Sequence, residues 1–120
     1  MSQQKEIGNK GEAIAQEHLR SLGYQILETN WRAHYYEIDI IAQDKDELVI
    51  VEVKTRSNDS YEHPSEAVSN KKIRFLVNAA EAYIFEKNSH RDTRFDVISI
   101  VFYGQNFELE HIKDAFYPTA

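Results

Sequence analysis

The chain has 120 residues, 42% of them hydrophobic, no cysteine and a net charge of −6. That length suits a single domain over residues 1–120 with its own core, one small enough for a homodimer to form readily. The composition excludes disulfides, thiolate metal sites and cysteine nucleophiles, and the acidity argues against a general nucleic-acid binder. The polar start, Met1-Ser2-Gln3-Gln4-Lys5-Glu6, lacks the apolar stretch of a signal peptide, and no run approaches a membrane span. The expectation is a cytoplasmic protein with no membrane partner.

Ile7, Ile14, Ala15, Leu19 and Leu22 fall on one stripe and predict a helix over Gly8 to Leu22, with Gly23 as its C-terminal cap. Tyr24 to Asn30 alternates as a strand would, and Trp31 to Tyr36 reads as a polar and aromatic turn. Glu37 to Gln43 is a second strand. Asp44 to Glu47 is a hairpin-like turn without the favoured glycine, and Leu48 to Thr55 is a third, central strand. A polar loop from Arg56 to His63 leads to Pro64, which can open a long helix from Ser65 to about Asn88. Val68, Phe75, Leu76, Ala79, Ala80 and Tyr83 mark its apolar face. Arg94 to Tyr103 and Phe107 to Ile112 are two more strands around a turn at Gly104-Gln105-Asn106, and Phe116 and Tyr117 tuck the tail against the domain. The order α-β-β-β-α-β-β implies an α/β domain with a mixed sheet.

Charges stand inside the two most apolar strands. Asp39 lies within Glu37-Ile38-Asp39-Ile40-Ile41, and Glu52 and Lys54 lie within Leu48-Val49-Ile50-Val51-Glu52-Val53-Lys54. A sheet centre rarely holds charge without a partner or a metal. Alternation puts Glu52 and Lys54 on one face and Val49, Val51 and Val53 on the other; it sets Asp39 with Glu37 and Ile41, against Ile38, Ile40 and Ala42. If the two strands pair, Asp39 and Glu52 approach each other. Two carboxylates about 4 Å apart repel by roughly 4 kcal/mol at an effective dielectric near 20, which a divalent cation between them or a shared proton relieves. Mg²⁺ suits such oxygen ligands, and Lys54 beside it could orient a metal-bound water or neutralise charge on a phosphate. Glu12, at the edge of the first helix's apolar stripe, is a candidate fourth member. Gly8 and Gly11 flank it, at a cost to the helix that hints at a close approach to the backbone or a phosphate at the helix N-terminus.

Other assignments stay open between a functional and an ordinary use. Arg32, Arg56, Lys71, Lys72 and Arg74 could contact phosphates or simply be solvated. Trp31, Tyr35 and Tyr36 could stack on bases or pack. Asp96 reads as a buried partner for an arginine or a backbone group, and the five histidines show no metal-ligand spacing. Asp39, Glu52 and Lys54 could themselves form a structural ion-pair network.

Gly8-Asn9-Lys10-Gly11-Glu12, Asn30-Trp31-Arg32, Glu37-Ile38-Asp39-Ile40-Ile41, Val51-Glu52-Val53-Lys54-Thr55-Arg56 and Phe95-Asp96-Val97-Ile98, in that order, resemble the bacterial YraN-like family. That family in turn resembles the PD-(D/E)XK nuclease superfamily, with its restriction-endonuclease-like fold, and the archaeal Holliday junction resolvases within it. The resemblance implies that Asp39, Glu52 and Lys54 form the metal and catalytic set, with Glu12 as the helix carboxylate; in such a mechanism the Val53 carbonyl could be an extra ligand. It implies Mg²⁺ or Mn²⁺ and a DNA substrate, branched or single-stranded. Ile38 stands where the namesake proline would be. The alternative is a catalytically inactive nuclease-fold module that binds DNA or a protein partner.

Overall fold

The computed structural model describes residues 3–58 and 69–116. Helix α1 (Gln3–Ser21) is followed by strands β1 (Gln25–Ala33), β2 (Tyr36–Asp44) and β3 (Glu47–Ser57), helix α2 (Asn70–Lys87), and strands β4 (Thr93–Tyr103) and β5 (Asn106–Ile112). The strands lie side by side in chain order; β3 and β4 are parallel and the other neighbours antiparallel. This is the expected mixed-sheet α/β order, consistent with a restriction-endonuclease-like fold.

The central strands are apolar on both faces because a helix covers each. Ala15 and Leu19 of α1 bury Ile40, Ala42, Val49, Val51, Ile98 and Ile100. Leu76, Ala79, Ala80 and Tyr83 of α2 bury Ile38, Ile41, Leu48, Ile50 and Phe95. Helix α1 ends as its sequence requires. Gly23 takes φ 92°, and the N–H groups of Gly23 and Tyr24 return to the carbonyls of Arg20 and Leu19. The core then takes Tyr24, whereas Leu22 is 48% exposed and leaves the expected stripe.

Four expectations need correction. The turn after β1 is only His34-Tyr35, because Trp31 and Arg32 stay in the ladder opposite Ile38 and Glu37. Helix α2 begins after Ser69, whose extended backbone and side-chain hydroxyl cap the Lys72 N–H; the expected Pro64 start, and Val68, lie outside the described residues, as does Tyr117. Because α1 starts at Gln3, Gly8, Gly11 and Glu12 lie inside it and not at its N-terminus, so no free N–H cluster awaits a phosphate there. Finally, Ile38 joins the core under α2 while Ile40 and Ala42 join the one under α1. The pleat is interrupted at Asp39, opposite Asn30, which takes a left-handed φ of 51°.

A second polar cluster fastens the far end of the sheet. Arg94 donates to Asp96 (2.9 and 3.0 Å), Asp44 (3.0 Å), Glu47 (3.0 Å) and the Tyr24 hydroxyl (2.6 Å). Asp96 also meets His111 Nε2 at 2.8 Å and accepts the Asp114 N–H at 3.0 Å. Burial alone would raise the Asp96 carboxyl, but bonds from His111 and Arg94 hold it below its ordinary value. Asp96 is thus the buried partner of an arginine and a backbone group. The tail follows: Phe116 stacks on Phe95. His18 Nε2 lies 3.0 Å from His111 Nδ1 and ties α1 to β5.

Gly11 is where α1 comes closest to β3. A Cβ at this position would overlap the hydroxyl and methyl groups of Thr55, whereas one at Gly8 would meet open space. Gly11→Ala should therefore cost stability, by roughly 1–3 kcal/mol, despite the better helix propensity of alanine. Thr55→Ala should recover part of that loss in the double variant, and Gly8→Ala should be neutral or stabilising. Urea unfolding of the wild type, Gly11→Ala, Thr55→Ala and the double variant measures the coupling, with Gly8→Ala as a control.

Candidate functional site

The backbone pairing of β2 with β3 runs from Asp44↔Glu47 to Ile40↔Val51 and stops. The next opposed pair would be Asp39 and Glu52. There β2 leaves β3, and the Asp39 side chain takes over: its Oδ2 accepts the Val53 N–H at 2.9 Å. A donor that would otherwise be orphaned in the sheet is satisfied, and the carboxylate is held in the gap between the strands. Strand β3 stays straight because its other edge is paired with β4 from Leu48↔Thr93 to Ser57↔Phe102.

Glu52 lies in this gap, on the α2 face, with only 5% of its surface exposed. One of its oxygens, Oε2, meets Lys72 Nζ at 3.5 Å and Lys54 Nζ at 3.7 Å. Glu52 and Lys54 thus share a face, and Val49, Val51 and Val53 pack on the other, as alternation requires. Burial, followed by the charge and hydrogen bonding of Asp39, pushes the Glu52 carboxyl up to about 7 against the pull of the two lysines. Near neutral pH the Glu52 carboxyl therefore carries a proton part of the time.

Glu12 reaches the gap from the α1 face. Its carboxyl is raised by burial and by Asp39, and a hydrogen bond from the Asn30 side chain opposes that rise. Asn30 had no assigned role in the sequence reading. Its signal was an asparagine inside a strand, where that residue is depleted; here it both turns the backbone opposite Asp39 and holds Glu12.

The remaining candidates are placed as follows. Lys72 belongs to the carboxylate cluster itself, its ammonium lying over the Phe75 ring, whereas Lys71 is exposed one residue earlier. Arg56 is half-buried near the end of β3. Arg32 is exposed and pairs with Glu37 across the β1–β2 hairpin at 2.7 Å. Trp31 and Tyr36 pack edge-on against Tyr83 and Phe75 of α2, while Tyr35 at the hairpin tip is 91% exposed.

The donor set fits a hard dication with few protein ligands. Asp39 and Glu52 supply adjacent carboxylates, and Mg²⁺ keeps several waters when bound by one or two. No three histidine, aspartate or glutamate side chains gather into a complete ligand set among the described residues. Water and main-chain oxygen would fill the other positions.

The model of the Uncharacterised protein family UPF0102 matches residues 11–100. The chain belongs to this family. UPF0102 proteins of Parabacteroides distasonis and Bacteroides thetaiotaomicron are 46% and 45% identical to it over 117 and 118 residues. These alignments cover 98% of this chain and 97% and 98% of the relatives. The UPF0102 protein of Persephonella marina is 43% identical over 110 residues, 91% of each chain. The YraN-like resemblance is thereby established at the level of the family. Among the described residues no helix is long and apolar enough to cross a membrane.

The raised Glu52 carboxyl carries a stability signature. Folding strengthens proton binding there, so its contribution is complete below the ordinary value of 4.5 and is lost as the pH rises through about 7. Above that pH the buried anion costs roughly 1–3 kcal/mol. Glu52→Gln should raise the Tm at pH 8 and leave it nearly unchanged at pH 4, as read by thermal unfolding. Equal destabilisation at both values would mean that the lysine contacts outweigh the burial of charge.

Proposed function

We propose that this UPF0102 chain is a metal-dependent nuclease that hydrolyses DNA phosphodiester bonds, on branched or single-stranded substrates, in the reducing cytoplasm. The observation that carries the reading is the meeting of Asp39 and Glu52 where β2 leaves β3, with the Lys54 ammonium beside them. Structural ion pairs favour closed geometry with every charge matched, as around Arg94. Glu52 instead stays protonatable at neutral pH, because burial and Asp39 outweigh two lysines. A buried carboxyl in that state is more typical of a functional site than of a structural bridge.

In this reading Asp39 and Glu52 would hold Mg²⁺ or Mn²⁺, with the Val53 carbonyl as a further oxygen. The ion, when bound, supplies an acidified water and offsets charge on the phosphate. Asp39 is fixed for the task by the Val53 N–H. Glu52 would hold the ion as the carboxylate, the form that burial and Asp39 disfavour in its absence. Lys54, two residues along the same face, orients the attacking water and neutralises the phosphate oxygens. Glu12, hydrogen-bonded by Asn30 and close enough to Asp39 to feel its charge, would orient water beside the carboxylates. Arg32, Arg56 and Lys71 would take the flanking phosphates.

Cleavage of linear, nicked and four-way DNA in Mg²⁺ or Mn²⁺ tests the proposal. Asp39→Asn and Lys54→Ala should each lower kcat by roughly 100-fold or more. Activity that survives both substitutions would place the chemistry elsewhere. A second reading, a non-catalytic DNA- or protein-binding module, is favoured by the two lysines that already pair with Glu52 and by the net charge of −6. It is supported instead if the protein binds DNA in a salt-sensitive manner, or a basic protein, and never cuts.

A further inference from the structure

We infer that Lys72 occupies the place of the divalent cation at Glu52 and, once displaced, becomes a ligand for the substrate phosphate; this rests on the nuclease reading of the site. Lys54 and Lys72 both address the same oxygen, Glu52 Oε2, at 3.7 and 3.5 Å. A dication bound by Asp39 and Glu52 would stand within a few ångströms of both ammonium groups, and the repulsion must be relieved by moving one of them.

The two lysines differ in how they can move. Lys54 rises from β3, whose backbone is locked into the β4 ladder at Lys54↔Ser99, and it lies two residues from Glu52 on the same face. Lys72 arrives from a different element. Its backbone is fixed by the Ser69 cap, but its long side chain reaches Glu52 across the Phe75 ring, with the ammonium 5.1 Å from the ring centroid. A cavity of about 270 Å³ lined by Ser69, Lys71, Lys72 and Phe75 opens beside it. Rotation into that space takes the Lys72 ammonium off Glu52 and sets it next to Lys71. Two cations then flank the carboxylates from the α2 side, where a phosphodiester would need them. The same residue thus offsets charge in the acidic gap without a cation and contributes to anion binding once one is bound.

The decisive measurement is Mn²⁺ binding to the full chain without DNA, by calorimetry or by the electron paramagnetic resonance of the free ion. Lys72→Met keeps an unbranched side chain of similar length and removes the charge. It should bind Mn²⁺ up to about fivefold more tightly, the scale set by loss of one half-buried ion pair. Lys72→Arg should bind as wild type does. With DNA, Lys72→Met should raise KM at least fivefold by roughly the same reasoning, with kcat changed less. This opposition of tighter metal and weaker DNA is not expected from a merely structural lysine. Unchanged or weakened Mn²⁺ binding in Lys72→Met, in an assay where Glu52→Gln abolishes it, overturns the inference and leaves the nuclease reading standing. Mn²⁺ binding that is absent from the wild type, or indifferent to Glu52→Gln, overturns both.

Discussion

The hydrogen bond from the Val53 N–H to the Asp39 carboxylate is the contact on which the candidate site depends. Strands β2 and β3 pair by backbone up to Ile40↔Val51, and a continued ladder would leave no gap between them. Strands that simply separated would strand buried donors and acceptors, at a cost that folded proteins avoid. Replacing a main-chain acceptor on β2 by the side chain of Asp39 lets the strands part without that cost. It also fixes one carboxylate beside another.

The electrostatics of the gap follow from that geometry. Glu52 is pressed into a nearly dry position against a second acid, and two lysines share one of its oxygens. The charges nearly balance, yet the burial of Glu52 leaves its carboxyl raised. The contrast with Asp96 is instructive. Asp96 is as buried, but it receives bonds from Arg94, His111 and the Asp114 backbone, and its carboxyl is lowered. One cluster is built to be closed and ties β4 to the β2–β3 turn, to Tyr24 and to the tail. The other holds charge that a dication or a phosphate could still recruit.

The supporting elements are placed to keep the gap rigid. Gly11 lets α1 settle onto Thr55, three residues beyond Glu52, and this brings Glu12 toward Asp39. The Ser69 cap starts α2 so that Lys72 falls in its first turn, above Glu52. Asn30 adopts the left-handed backbone that breaks the pleat opposite Asp39. Each of these residues acts through a short-range steric or hydrogen-bonding requirement, and together they converge from α1, β1, β2, β3 and α2 on one end of the sheet.

The sequence by itself determined the element order, the two apolar strands and the anomaly of the charges within them. Periodicity is a local property, and so are the glycine cap at Gly23 and the alternation that puts Glu52 and Lys54 on one face. The motif order also sufficed to identify the family. What the tertiary structure decided was every feature that depends on distance between elements: the point where β2 leaves β3, the approach of Lys72 from α2, the link from Asn30 to Glu12, and the shift of Ile38 to the other core. Strand alternation misassigned Ile38 because it assumes an unbroken pleat, and β2 instead sends Ile38 and Ile40 to opposite cores. Lys72 looked like any other cation on a helix because which carboxylate a helix faces is fixed by packing across the sheet, not by its own spacing.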